Sequence, residues 1–228
     1  MAIALRAAKG SNNAGGGTTL TMTVPAGVVN GDVMVMSIFL HSSVGITDPS
    51  GWTVLDTGGG SQSHLYWRVA SSEPASYAVT IGSEKATGVI IALSGADTSL
   101  PGSTQHAFNF GTSATLSAIA LGTFSSNNGI DLFFGGTATG TTTGQPASYT
   151  EPTNGSSTNT GGGAGTRSTS GVAYRALSAV TTVGSLSAVY GASAFYNTYH
   201  CFIFEAAQVA SVPTLQQYSQ SVNRAANW

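Results

Sequence analysis

Between Gly31 and Pro101 the apolar residues come in short blocks, each bounded by Gly, Pro, Ser or Asp: GDVMVMSIFLHS, DPSGWTVLD, SHLYWRVAS, PASYAVTIG and KATGVIIALSGADTSLP. Blocks of this length with such boundaries read as consecutive β-strands joined by tight turns. In the third, Leu65, Trp67 and Val69 alternate with His64, Tyr66 and Arg68; in the fourth, Tyr77, Val79 and Ile81 alternate with Ser76, Ala78 and Thr80. A period of two sets one face on a core and the other toward solvent or a neighbour, so both are expected as half-buried strands. Val33 to Leu40 and Val89 to Leu93 are apolar without a break. They are predicted as core strands covered on both faces.

The same pattern extends outward from this region. Leu20, Met22 and Val24 alternate with three threonines, and Pro25 closes that strand. Further strands are predicted over Ala114 to Leu121, Ile130 to Phe134, Gly171 to Ala179, Thr181 to Tyr190 and Tyr196 to Glu205. In the last, Phe202 and Phe204 share a face, with Cys201 and Ile203 behind them. About eleven strands without an intervening helix predict an all-β fold, an antiparallel two-sheet β-sandwich or jelly roll, ahead of a closed barrel.

Three stretches fall outside that pattern. Residues 1–17 end in NNAGGG and are expected as an N-terminal arm, because glycine clusters do not hold regular structure without outside contacts. Gly135 to Gly171 is low-complexity and too poor in apolar residues to order itself. Residues 208–228 are expected as a C-terminal extension, following a sandwich domain over 18–207. Within it Ser211 can cap and Pro213 suits a first helical turn, after which Leu215, Tyr218, Val222 and Ala225 recur at three and four residues. That stripe needs a surface, either its own sandwich or a neighbouring subunit. Leu215, Tyr218, Val222 and Trp228 are the candidate inter-subunit contacts.

Composition changes the picture in one respect. Charged residues make up 7% of the chain, against roughly 25% in an ordinary soluble domain. The deficit is filled by Ser, Thr, Asn and Gly, and the only lysines are Lys9 and Lys85, although lysine is the usual guard on free sheet edges. A neutral, hydroxyl-rich surface suits a protein packed beside copies of itself; an extracellular domain with a low-charge surface is the other reading. A net charge of −2 with seven scattered basic residues gives no footprint for nucleic acid. No apolar run approaches the length of a membrane span, so neither a signal peptide nor a transmembrane helix is expected. The single Cys201 has no intramolecular disulfide partner and reads as a small buried hydrophobe.

Catalytic patterns are sparse. His41, His64, His106 and His200 lack metal-ligand spacing, and His41 and His200 are expected as hydrogen-bonded structural residues. No G-x-S-x-G elbow occurs, and none of the glycine clusters is followed by Lys-Ser/Thr as in a phosphate loop. No cofactor or metal is expected. Asp97, Asp131 and Glu205 lie on or beside predicted strands, where a facing pair would permit glycoside hydrolysis; among nine acids some pair approaches by chance. His64, Tyr66 and Arg68 form a polar and aromatic stripe on one strand face, a composition fit to stack on a sugar ring or to grip a protein partner. Trp52 and Trp67 are assigned to the core.

From Pro25 to Pro101, the order VPAGVVNGDVMVMSIFL, PSGWTVLD, LYWRVAS, YAVTI and GVIIALSGADTSLP resembles a recurring β-sandwich module of bacteriophage virion proteins. The marks of that resemblance are Gly31-Asp32 before the long strand, Gly51-Trp52-Thr53 after a proline, and Tyr66-Trp67-Arg68-Val69. It implies a non-catalytic, often trimeric protein exposed on a particle. Absence of a long shaft repeat or coiled coil separates this sequence from typical tail fibres. The resemblance thus implies a capsid decoration (cement) protein, binding the major capsid protein or other virion proteins from outside as a homotrimer assembled in a bacterial cytoplasm. A tail-fibre or tail-tip module recognising a host surface glycan is the alternative.

Overall fold

The computed structural model describes residues 2–58, 62–125, 127–138, 145–152, 158–160 and 168–207. Strands β1 (Ala4–Asn12), β8 (Ala86–Ser94), β3 (Val33–Leu40), β6 (Ser63–Val69) and β5 (Thr53–Thr57) form one five-stranded antiparallel sheet in that order. A second antiparallel sheet holds β11 (Thr158–Asn159), β12 (Thr169–Val180), β10 (Asn127–Thr137), β13 (Leu186–Phe204) and β9 (His106–Ala118). A third, smaller sheet is β2 (Thr19–Thr23), β7 (Ser76–Ile81) and β4 (Ile46–Thr47). The fold is the expected all-β sandwich of antiparallel sheets, with a third layer added.

The unbroken apolar runs explain the layering. In β3, Val33 and Val35 pack with Val89, Ile91 and Leu93 against Leu132, Phe134, Cys201 and Ile203 of the second sheet. Met34, Met36, Ile38 and Leu40, on the opposite face, pack with Ile90 against Leu20, Met22, Val79 and Ile81 of the small sheet. Every residue of β3 is therefore buried. At about 1.5–3 kcal/mol for each fully buried aliphatic side chain, neither face could be left wet. On β2 and β7 the period of two holds as expected: Leu20, Met22, Val79 and Ile81 face inward, while Thr19, Thr21, Thr23, Ala78 and Thr80 are exposed.

The turns into this core need left-handed backbone. Gly31 has φ 90°, and its N–H donates to the carbonyl of Ala70 at 2.9 Å, fixing the entry to β3. Gly51 has φ 78° in the turn before β5, and a Cβ there would lie 3.2 Å from Arg68 Nη1. Glycine meets both demands without strain.

Several expectations are corrected. Most of the expected arm is strand β1, paired along its length with β8 and bulged between Leu5 and Ala7. Asn13, just before the glycine cluster, ties it down: its backbone N–H donates to the Ala86 carbonyl, and its side chain accepts from Ala86 N–H and donates to the Glu84 carbonyl. The strand expected from Ala114 begins at His106, and the two expected over Thr181 to Tyr190 and Tyr196 to Glu205 are one long strand, β13, with an irregularity between Val189 and Ala194.

That irregularity reshapes the second sheet. The distal parts of β9 and β13 fold back over its outer face, so that Leu116, Ala118 and Ala188 pack on Phe133, Ala173, Tyr149 and Tyr196. Asn109 Nδ2 and Thr198 Oγ1 both donate to the carbonyl of Ser117, each at 2.7 Å, which pins the fold-over. Beside it, Leu121 and Val183 cover Phe202, whose ring stacks on Phe124 at 5.1 Å. Of the low-complexity stretch, Thr150 is hydrogen-bonded to Tyr174 at the β12 edge. The predicted C-terminal helix, with Leu215, Tyr218, Val222 and Trp228, lies outside the described residues.

Candidate functional site

The stripe His64, Tyr66 and Arg68 does share one face of β6, as its alternation requires, but that face meets the small sheet rather than solvent. Tyr66 is 0% exposed and belongs to the methionine-rich core between the layers. Its hydroxyl donates to Asp48 Oδ1 at 3.0 Å and lies 2.8 Å from His64 Nδ1. Burial, reinforced by the hydrogen bond to Asp48, pushes the phenol well above its ordinary range. Burial also holds His64 below its usual value, partly opposed by Asp48. None of the three is a free contact residue: the alternation holds, but the face it presents is covered by a third layer of strands that one strand's pattern does not reveal.

Arg68 closes the rim of the same interface. Its guanidinium lies 5.6 Å from the Trp52 ring centre and 5.2 Å from that of Tyr77, while Trp52 and Tyr77 meet edge-on at 5.5 Å. Glu73 pairs with Arg68 at 3.0 Å and accepts a hydrogen bond from the Tyr77 hydroxyl. The Gly51-Trp52 and Tyr66-Arg68 marks noted in the sequence thus converge in one clasp, where the cation rests on aromatic faces and its charge is matched by a buried carboxylate.

A second polar cluster lies under the folded-back ribbon. Asp131 and His200 are both 0% exposed, with His200 Nε2 at 2.8 Å from Asp131 Oδ1 and His200 Nδ1 donating to the Ile119 carbonyl at 2.9 Å. The other carboxylate oxygen accepts from Arg175 Nη2 at 3.2 Å and from the Tyr149 hydroxyl, and Arg175 stacks 4.7 Å from the Tyr149 ring centre. His200 is the expected structural histidine. With both oxygens of Asp131 engaged and the side chain sealed from solvent, it is not placed to serve as one of two facing acids across an open cleft. Among the described residues no cluster of three metal-ligating side chains occurs.

Among the described residues a few large apolar side chains stay exposed. Phe110 is 56% exposed and Val189 65%, on β9 and β13. Phe110 belongs to a ladder of rings that starts in the core: Tyr199 to Phe108 at 5.2 Å, Phe108 to Phe110 at 5.7 Å, and Phe110 to Phe195 at 6.4 Å. Strand β9 is the edge of its sheet and contains no Lys, Arg, Asp, Glu or Pro, the residues that guard free edges. The exposed ring is therefore rigidly backed and set in an uncharged strip. In the sequence this signal lies in the run HAFNF, ahead of the strand expected from Ala114, where the flanking Gly and Ser residues mask a strand pattern.

No family model, no curated protein and no solved structure matches this chain.

Proposed function

We propose that this chain is a structural protein of a bacteriophage virion that binds the outside of an assembled capsid shell as a homotrimeric decoration protein. The observation that carries the reading is the Phe108, Phe110 and Phe195 ladder emerging on an unguarded edge strand of a protein with 7% charged residues. A large aromatic on a rigid backing, surrounded by neutral hydroxyl-bearing residues, is the composition of an interface core, where charge is depleted and aromatics are enriched. The module-like order from Pro25 to Pro101 supplies the particle setting, and the buried carboxylate networks are accounted for as structural ties.

The test is to incubate the purified protein with capsids that lack it and to measure occupancy by co-sedimentation and copy number by electron microscopy. Saturable binding at symmetry-related positions, reduced at least tenfold by Phe110→Ser with Val189→Ser, is the expected result. A dilute monomer that leaves capsids bare refutes the proposal. If the same variant instead abolishes binding on a glycan array while capsids are never bound, Phe110 is a stacking platform and the tail-borne alternative replaces the capsid reading.

A further inference from the structure

The seam between the two five-stranded sheets is apolar over most of its length and turns polar at one end. There β10 carries Gly136 opposite Asn197 of β13, and Phe39 of β3 lays its ring over Gly136, where an added Cβ would come within 2.6 Å of it. Nearby hydroxyls find partners across the seam. Tyr199 Oη donates to Ser63 Oγ at 2.8 Å, and Ser168 Oγ lies 2.9 Å from Thr87 Oγ1 and donates to the Phe39 carbonyl at 3.2 Å.

Three polar atoms in the same place find none. Asn197 is 2% exposed and Ser170 is 2% exposed, yet Asn197 Nδ2, Asn197 Oδ1 and Ser170 Oγ have no hydrogen-bond partner. Leaving a buried polar group unmet costs about 1–3 kcal/mol, so three at one spot demand an explanation. Both side chains line one small cavity, about 10 Å³ for the centre of a water-sized sphere, with Phe39, Phe134 and Tyr199 among its other walls. No charged side chain borders it.

We infer that this cavity is a built site for one structural water, which bridges Asn197 of β13 to Ser170 of β12. The volume is at the lower limit for holding one water. The chemistry fits as closely. A primary amide presents an N–H and a C=O side by side, so one water can accept from Nδ2 and donate to Oδ1, leaving its second hydrogen for Ser170 Oγ. That gives about three hydrogen bonds, the usual complement of a buried water, and it satisfies all three orphaned atoms. An anion or metal would find no compensating charge here.

Crystals of the full-length protein at high resolution decide the matter, with water magnetic relaxation dispersion counting long-lived waters in solution. A single density peak within hydrogen-bond reach of all three atoms is expected, together with loss of one long-lived water in Asn197→Leu. Should that variant fail to fold, Ser170→Val fills the cavity from the other side and is expected to lose the same water. An empty cavity, an Asn197 amide bonded directly to protein, or a water count unchanged in the variants overturns the inference.

Discussion

Replacing Asp131 is the most demanding test of how the outer face of the second sheet is closed. Asp131→Ala removes the acceptor for His200, Arg175 and Tyr149 at once, and it strands an imidazole that is 0% exposed beneath the folded-back ribbon. Breaking a buried ion pair from one side costs about 3–5 kcal/mol, because the remaining partner keeps its desolvation penalty without the attraction. Asp131→Asn preserves shape and one acceptor, but turns an N–H toward a donor. Its cost is expected at about 1–3 kcal/mol. Urea unfolding followed by tryptophan fluorescence reads both. With a slope of about 2.5 kcal/mol/M, the alanine variant should move the midpoint down by roughly 1.5 M, and the asparagine variant by about half as much. Adding His200→Leu to Asp131→Ala should cost less than the sum of the single changes, since the stranded imidazole is gone. A midpoint shift for Asp131→Ala below about 0.3 M would refute the reasoning, because it would mean that water reaches the carboxylate and that the ribbon does not seal this face.

Other outcomes follow from the same geometry. Tyr66→Ala should lower stability by about 3–5 kcal/mol as a buried aromatic, and Tyr66→Phe by about 1 kcal/mol through loss of the Asp48 and His64 hydrogen bonds, both read by denaturant unfolding. A loss below about 1 kcal/mol for the alanine variant would place Tyr66 at the surface after all. His64 is held below 6.5 in the folded state, so unfolding takes up protons there. Its contribution is full above pH 6.5 and is lost as pH falls through the folded value, so the stability gap between wild type and His64→Gln should shrink on acidification and stay flat above neutrality. Cys201 is fully buried between the sheets, and burial pushes its thiol far up, so a thiol reagent should label it only at the rate of unfolding. Rapid labelling of the native protein would contradict that packing.

The amino-acid order by itself determined the class of structure and most of its central strands, because a two-residue period and unbroken apolar runs are local properties that a strand must display wherever it ends up. Val33 to Leu40 was legible as a strand covered twice, and the threonines of β2 as its wet face, since burial on one side or both is written directly into consecutive residues. What lies over a given face is a long-range matter. Nothing in SHLYWRVAS states that the side bearing Tyr66 meets a further three-stranded sheet, so a stripe that reads as a binding surface is core. The first strand was hidden for a related reason: its order comes from pairing with β8, some eighty residues away, which local glycine content does not foretell. Asp131 and His200 are separated by 69 positions, and Asn197 and Ser170 sit on different strands, so both clusters exist only once β12, β10 and β13 are laid side by side. Tertiary structure decided these because register brings together side chains whose neighbours in the chain say nothing of each other.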